Sequence, residues 1–305
     1  MERKETVDRW LKTNPEYVDS FSNFRGSVDE YFDKWNKVWQ FHWHENKGRE
    51  PYPFIKKYIG SDREQKWLEL QQSDEPSLQD TIRYYRNNEI EYHLNVHGLR
   101  DEPWENKPQE VDVYLGDSNT LGTGVVRDDA YPYLISKQLD FPSVYCGAGA
   151  ADITTQFNLF IFISKKFKVR NLFHNPVKKF VSVGWQDRYG NTDGIAEWDR
   201  NLQPERFDKF KDIFNPANTS FLYYMAYNAF IGLCKEKDIN YIYCDWEISN
   251  GKIEDRFKNN NFIEEFKLED SKLNVLARDT YHGSLYRHRV LANKFLEKLG
   301  YKLFV

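Results

Sequence analysis

Two short stretches of the 305-residue chain hold residues whose types and spacing could carry out acyl transfer. Ser118 follows the apolar run 111–115 closely, so a strand is predicted to deliver its hydroxyl into a turn. Far downstream, Asp279 and His282 stand three residues apart, and one turn can then orient the imidazole and aim it elsewhere. A serine nucleophile needs a base to take its proton and a carboxylate to hold the base in one tautomer. The two stretches therefore predict a Ser-His-Asp set.

These residues resemble the sequence blocks of the SGNH/GDSL hydrolase family, which occur here in the family's order over roughly the last two thirds of the chain. The first block is Gly-Asp-Ser at 116–118, and the last is Asp-Thr-Tyr-His at 279–282, the family's DxxH. The resemblance implies that Ser118 is the nucleophile, that His282 is the general base and that Asp279 orients it. It also implies catalysis without a cofactor.

The family builds its oxyanion hole from two further blocks, and both have counterparts here. A glycine-rich run resembles the second block, with Gly149 as the expected donor and Gly147 as the alternative. The third block normally holds an asparagine amide, whereas its counterpart at 184–187, Gly-Trp-Gln-Asp, has Gln186 in that place. Glutamine carries the same amide one methylene further from the backbone. The resemblance thus predicts oxyanion donors at Ser118, Gly149 and Gln186.

Short apolar runs alternate with longer helical stretches in this part of the chain. The alternation indicates an α/β fold with a parallel sheet, and the resemblance implies the flavodoxin-like three-layer sandwich of SGNH hydrolases. A final helix is predicted to be capped by Ser284 and ended by Gly300. Because ligands bind beyond the carboxyl ends of such strands, the blocks should converge there. Buried strands are predicted at 111–115, 143–146, 177–183 and 241–244, and helices at 131–139, 153–163 and 221–234.

Residues 1–107 contain no catalytic block and are predicted to form a mostly helical extension, followed by the hydrolase-like domain at 108–305. Ser27 and Ser61 each precede a glutamate by three residues, which is the pattern of a capping box at the start of a helix. Ser77 is predicted to open a further helix. A turn-rich stretch marks the predicted boundary.

Composition argues against several classes of function. The net charge of -4 arises from 43 basic and 47 acidic residues that are interspersed, which leaves no broad basic field for nucleic acid. The amino terminus is charged where a signal peptide would be apolar, and no segment reaches the length of a membrane span, so cytoplasmic synthesis is predicted. Three cysteines without CxxC spacing indicate small buried residues rather than a disulfide framework or a zinc site.

The remaining histidines lack the spacing of metal ligands, so no metal is predicted. His42 and His44 flank a tryptophan at the end of a predicted helix, where they do not share a face. His93, His97 and His174 stand alone. His288 is predicted to be exposed on the last helix.

The combined pattern predicts a serine hydrolase that cleaves an ester through an acyl-enzyme. The expected substrate is an ester-bearing small molecule or a glycan, with a carbohydrate O-acetyl ester as one candidate. Trp185, Tyr189 and Trp198 could stack on a sugar, although core packing is the stronger reading in so aromatic a chain. Two alternatives stay open. One is a non-catalytic structural or binding module, such as a virion-associated protein that meets a protein partner through the helical region. The other is acyl transfer to an acceptor other than water.

Overall fold

The computed structural model describes residues 54–95, 97–149, 151, 153–176, 216–244, 262–263 and 277–301. Several predicted features lie outside these residues. They are the helix that starts near Ser27, the pair His42 and His44, the strand at 177–183, the third block with Gln186, and the aromatic residues Trp185, Tyr189 and Trp198.

The described part of the amino-terminal region combines two helices with a small sheet. The elements are β1 (Phe54–Lys56), α1 (Glu64–Gln71), α2 (Gln79–Asn87) and β2 (Tyr92–Leu94). β1 pairs with β2 in antiparallel orientation, and side chains including Tyr85, Ile90 and Tyr92 form a local core. The two helices were predicted. The strand pair was not, because three-residue strands are too short to show alternation of polar and apolar residues.

The predicted capping role of Ser61 is wrong, and the helix expected to open at Ser77 begins two residues later, at Gln79. α1 begins after Arg63 and α2 begins after Leu78, and neither helix has a side-chain hydrogen bond at its cap. The Ser77 hydroxyl donates instead to a carboxylate oxygen of Glu75. Capping-box spacing reports residue types only, whereas the backbone path decides which residue precedes the first helical turn.

A parallel sheet forms the centre of the fold. Its strands lie in the order β4-β3-β5-β6-β7, and each neighbouring pair is parallel. The strands predicted at 111–115, 143–146 and 241–244 are confirmed. Within the described residues, the strands of this sheet are β3 (Glu110–Gly116), β4 (Ser143–Gly147), β5 (Lys168–His174), β6 (Asn240–Cys244) and β7 (Phe262–Ile263).

The strand β5 is the central strand of the sheet, yet the sequence pattern did not predict it. Arg170 and Asn171 interrupt its apolar run. Both residues donate to the buried carboxylate of Asp112 on β3: Arg170 Nε at 2.9 Å, and Asn171 Nδ2 at 2.8 Å. A buried polar group that is hydrogen-bonded in this way is tolerated inside a sheet. The alternation rule therefore failed where a polar cluster replaces part of the apolar surface.

Helices cover both faces of the sheet. In the described part of the chain these are α3 (Ser118–Leu121), α4 (Tyr131–Leu139), α5 (Ile153–Lys166), α6 (Pro216–Glu236) and α7 (Leu285–Lys298). Strand residues such as Val113 and Leu115 pack against α5 and α6 on one face. On the other face, Tyr114 and Phe173 pack against α4 and α7. The predicted three-layer α/β arrangement with a parallel sheet is confirmed.

The last helix confirms one prediction and corrects another. The Ser284 Oγ accepts the Arg287 N–H at 3.2 Å, so Ser284 is the cap of α7 as predicted. His288, which was predicted to be exposed, is fully buried, and its Nδ1 accepts the Tyr131 N–H at 3.2 Å. His288 lies on the face of α7 that meets α4, where a backbone donor satisfies Nδ1 of the buried imidazole.

The prediction that the three cysteines are small buried residues is also confirmed, since Cys146, Cys234 and Cys244 are all buried. Within the described ranges, none of the helices is both long enough and apolar enough to cross a bilayer.

Candidate active site

Ser118, His282 and Asp279 meet in an unbroken chain of hydrogen bonds. The Ser118 Oγ lies 2.7 Å from Nε2 of His282. On the other side of the imidazole, Nδ1 lies 2.5 Å from Oδ2 of Asp279. The His282 and Asp279 side chains are 7% and 0% exposed, so little water competes for these contacts. When Nδ1–H donates to Asp279, the Nε2 lone pair can accept the Ser118 hydroxyl proton.

The nucleophile turn, defined as residues 116–124, holds Ser118 by local contacts. Ser118 is the first residue of α3, which is a single helical turn directly after β3. The Asp117 carboxylate caps this turn by accepting the Asn119 N–H at 3.0 Å. Gly122 ends it with a φ of 71°, a conformation that favours glycine.

Arg100 holds the end of the same turn. Its guanidinium is fully buried, and Nη1 donates to the carbonyls of Leu121, Gly122 and Val125 at 3.3, 2.9 and 3.1 Å. A cation at the carboxyl end of a helical turn satisfies carbonyls that lack partners within the turn. Burial lowers the pKa of Arg100, but a guanidinium stays charged in proteins. Arg100 thus fixes the path of the chain after the nucleophile.

Two glycines allow α3 to lie directly on the strand ends. A Cβ at Gly147 would lie 2.0 Å from the backbone nitrogen of Leu121, and one at Gly116 would lie 2.0 Å from the Thr120 Oγ1. Gly147, the alternative oxyanion donor, therefore has a packing reason to be glycine. Gly149, the expected donor, lies in the turn after β4, where an added Cβ would meet nothing within 4 Å. The space around Gly149 would therefore allow a larger side chain.

The acid–base turn, defined as residues 277–284, lies just before α7. The Oδ1 of Asp279 accepts the N–H groups of Tyr281 and His282, each at 3.1 Å. Thr280 adopts a φ of 56°, which turns the chain back over the carboxylate. Burial opposes ionisation of Asp279, but the hydrogen bond and charge of His282 outweigh it, and the pKa of Asp279 falls to about 2. The carboxylate is therefore ionised at neutral pH.

A fourth side chain reaches the triad from the amino-terminal region, and the sequence pattern did not predict it. The Ser61 Oγ donates to Oδ2 of Asp279 at 2.6 Å and lies 3.3 Å from Nδ1 of His282. The next residue, Asp62, accepts two bonds from Arg278, one from Nε at 2.9 Å and one from Nη2 at 2.7 Å. Ser61 and Asp279 are 218 positions apart, so no local signal links them.

Tyr92 connects the two turns of the site. Its hydroxyl donates to Oδ2 of Asp62 at 2.6 Å and accepts the Gly124 N–H at 2.8 Å. The carbonyl of Gly124 in turn accepts the Arg278 N–H at 2.8 Å. Gly124, at the end of the nucleophile turn, is thus bonded both to the amino-terminal region and to the acid–base turn.

The amide donor expected at Gln186 lies outside the described residues, but an asparagine occupies the end of the strand next to β3. Asn175 follows β5, and its N–H donates to the Leu115 carbonyl at 2.9 Å. Its buried Nδ2 donates to Oδ1 of Asp117 at 3.2 Å. The amide therefore lies beside the residue before the nucleophile, and its second hydrogen can serve another acceptor. The signal that could have identified Asn175 is its position as a polar residue directly after a strand. It was missed because β5 itself was not predicted.

A neutral hydrogen-bond network supports Asn175 from behind. His174 is fully buried, with Nδ1 2.8 Å from the Tyr241 hydroxyl and Nε2 2.7 Å from Oε1 of Gln156. The Gln156 Nε2 donates to the carbonyls of Ala151 and Asn175, at 3.0 and 3.4 Å. Burial lowers the pKa of His174 to about 3, so this histidine is uncharged at neutral pH.

The arrangement can perform nucleophilic catalysis. A hydroxyl is bonded to a base, the base is held by an ionised carboxylate, and an amide lies next to the nucleophile turn. In the ranges that the structure describes, no group of three or more histidine, cysteine, aspartate or glutamate side chains is placed to hold a metal ion.

Comparison with models of known protein families finds no match for this chain, and comparison with curated protein sequences finds none either.

Proposed function

We propose that this protein is a serine hydrolase of the SGNH type, which cleaves an ester through an acyl-enzyme. The observation that carries the proposal is the continuous chain from Ser118 to His282 and Asp279, with contacts of 2.7 and 2.5 Å. The resemblance of residues 116–118 and 279–282 to the family's first and last blocks supports it. The parallel sheet between two helical layers supports it further, because the triad residue Ser118 follows a central strand.

In the proposed reaction, the Ser118 Oγ attacks the acyl carbon while His282 Nε2 takes the hydroxyl proton. The carbonyl electron pair moves onto oxygen and forms an oxyanion. As this intermediate collapses, the bond to the leaving alcohol breaks, and His282 gives its proton to the departing oxygen. Water then attacks the acyl carbon while His282 takes a proton from the water. The bond between the acyl carbon and Ser118 Oγ breaks, the carboxylic acid leaves, and His282 returns the proton to Ser118. Asp279 keeps the imidazole in the required tautomer and stabilises the imidazolium.

The proposed oxyanion donors are the N–H groups of Ser118 and Gly149 together with one side-chain amide. Gln186 is the donor expected from the order of the blocks. Asn175 has the stronger support, because it is buried and bonded to Asp117 directly before the nucleophile. A donor that is fixed before the reaction stabilises the developing charge without having to reorganise.

The proposed substrate is a small acyl ester on a carbohydrate. One feature of the described surface supports it: Tyr281 is 73% exposed, and its ring centroid lies 5.3 Å from that of the catalytic imidazole of His282. An exposed aromatic face beside the reacting centre suits a sugar ring, which packs its apolar face on such side chains.

The proposal is tested by the hydrolysis of a short-chain aryl acetate and by labelling with a fluorophosphonate. Replacement Ser118→Ala or His282→Ala should each reduce kcat by about 10⁴-fold or more, since triad residues act as a unit. Ser118→Ala should also abolish the label. Ser77→Ala is the matched control. Ser77 is exposed, and its side chain bonds only to Glu75 among the residues that the structure describes.

A folded wild-type protein that neither turns over nor takes the label would contradict the hydrolase. It would favour the structural or binding module instead. A protein that takes the label but releases acyl product only when an alcohol is added would identify transfer to an acceptor other than water.

A further inference from the structure

We infer that Ser61 is a positioning residue of this active site, whose hydroxyl holds the Asp279 carboxylate in the orientation that receives the His282 Nδ1–H. This inference rests on the proposed function, and it adds to the triad a residue from outside the sequence blocks of the family resemblance. Ser61 touches no reacting atom in the proposed reaction, so its effect passes through Asp279 and His282.

The turn at 59–62 presents Ser61 to the site. The Asp62 N–H donates to the Ile59 carbonyl at 3.0 Å, and Gly60 adopts a φ of 58° between them. Glycine takes this conformation without strain, so the chain reverses sharply here. The reversal explains why Ser61 does not cap α1, although it precedes that helix by three residues.

Two adjacent contacts fix the register between this turn and the acid–base turn. Ser61 bonds to Asp279, and Asp62 bonds to Arg278, so consecutive residues on one turn meet consecutive residues on the other. The side chains of the Asp62–Arg278 ion pair are 1% and 3% exposed. Separating a buried pair leaves two unpaired charges, which is strongly unfavourable. This buried ion pair therefore holds the Ser61 hydroxyl against Asp279. A serine in an unsupported loop would lose conformational entropy on making the same contact.

The contact has a consequence for the chemistry. Oδ2 of Asp279 accepts from both Ser61, at 2.6 Å, and His282 Nδ1, at 2.5 Å. Each donor stabilises part of the carboxylate charge, so the loss of Ser61 leaves more of that charge for His282. Ser61 Oγ also faces Nδ1 directly, but at 3.3 Å this contact is the weaker of the two. The loss of Ser61 should thus make the imidazolium harder to deprotonate.

Few other charged groups near His282 change state in the neutral range. His288 on α7 is buried, and burial lowers its pKa to about 3, so it stays neutral. Arg278, on the same turn, is held in its ion pair with Asp62. Asp279 itself remains ionised, and Tyr281 packs its ring edge to face with the imidazole. Among the described groups, a change in the acidic limb of activity therefore reports on the contact between His282 and Asp279.

The kinetic test compares Ser61→Ala with Ser61→Thr, which keeps the hydroxyl, and with Ser77→Ala as the control in the same region. Ser61→Ala should lower kcat about 3- to 10-fold, with KM unchanged, because the supporting partner of a catalytic group is lost. The acidic limb of kcat/KM should move to higher pH. Ser61→Thr should restore both values, and Ser77→Ala should match the wild type. Thermal unfolding of each variant checks that the fold is intact.

A second measurement does not depend on turnover. In protein labelled with ¹⁵N-histidine, the Nδ1 proton shared by His282 and Asp279 should give a low-field proton resonance. This resonance should move further downfield when Ser61→Ala is added to the inactive Ser118→Ala variant, because one competing donor to Oδ2 has gone. His282→Ala identifies the resonance by its loss.

The two measurements separate this inference from the proposed function. If the wild type shows no esterase activity but Ser61→Ala still shifts the resonance, the positioning role is supported and the hydrolase is contradicted. Serine-dependent turnover, with neither the acidic limb nor the resonance changed by Ser61→Ala, would overturn the positioning role and leave the hydrolase standing.

Discussion

The nucleophile turn and the acid–base turn carry the two halves of the same site, yet they are held in different ways. The nucleophile turn is held mainly by partners that lie close in the sequence: Asp117 caps it, Gly122 ends it, and Arg100 bonds to the Gly122 carbonyl from 22 residues away. The acid–base turn has bonds of its own at Asp279, but Ser61 and Asp62 of the amino-terminal region, far away in the sequence, join it to the rest of the protein.

The two turns differ in how far apart in the sequence their stabilising partners lie. Contacts within the nucleophile turn span only a few residues, so a short sequence block can encode them. The bonds from Ser61 to Asp279 and from Asp62 to Arg278 span 218 and 216 residues. Residues before 108 therefore contribute to the site, although no catalytic block is present there. The domain boundary at 107 stays a prediction, and the bonds from this region cross it.

The largest expected effect comes from breaking the external support of the acid–base turn. Asp62→Asn leaves the Arg278 charge buried without its partner, and we expect it to lower the free energy of unfolding by about 3 to 5 kcal/mol. Urea unfolding monitored by fluorescence measures this value. The exposed pair of Lys57 and Glu89 offers a control, since Glu89→Gln should leave the free energy of unfolding close to that of the wild type.

The double variant Asp62→Leu with Arg278→Met sharpens the same test. It removes both charges and keeps comparable volume, so it should be much more stable than Asp62→Asn alone. Equal losses in the two variants would mean that the ion pair is not the main support of the turn.

The next effect concerns the nucleophile half. If Asn175 is the amide donor of the oxyanion hole, Asn175→Ala should reduce kcat by about 10²- to 10³-fold with little change in KM. Gln186→Ala should then have a small effect. Steady-state kinetics on the aryl acetate measure both. The reverse ranking would assign the donor to Gln186 and leave Asn175 with the structural task of bonding to Asp117.

The effect that is smallest at neutral pH comes from two buried histidines, His174 at the end of β5 and His288 on α7, because it appears only as the pH falls. His174 and His288 have pKa values of about 3 in the folded protein, because burial disfavours their charged forms. The unfolded chain binds a proton at each near the ordinary pKa of about 6.5, so their contribution to stability is complete above that pH. It is lost as pH falls toward 3, by about 1.4 kcal/mol per pH unit for each histidine.

Urea unfolding between pH 7 and 4 measures that slope. His174→Gln and His288→Gln should each make the dependence on pH shallower. The exposed His93→Gln is the control variant. A slope that neither buried variant changes would show that these imidazoles do not resist protonation in the folded state.

Much of the fold was predictable, because its elements follow local rules. The strands that became β3, β4 and β6 are compact apolar runs, and α4 and α7 carry periodic apolar faces with recognisable ends. β5 escaped prediction since its polar residues, Arg170 and Asn171, are satisfied by Asp112 on the neighbouring strand. The same applies to His288, whose burial depends on a backbone donor from Tyr131.

By itself, the sequence determined the chemical types and the local spacing of the site: a serine after a strand, and an acid three residues before a histidine. These follow from short-range geometry, in which one strand end or one turn sets the relation between neighbours. Only the tertiary structure decided that the Ser118 Oγ lies 2.7 Å from Nε2 of His282. It also placed Asn175 beside Asp117, directly before the nucleophile, and bonded Ser61 to Asp279 instead of leaving it to cap α1. Partners far apart in the chain are chosen by packing and by the need to satisfy buried polar groups, and neither is written in the order of the residues.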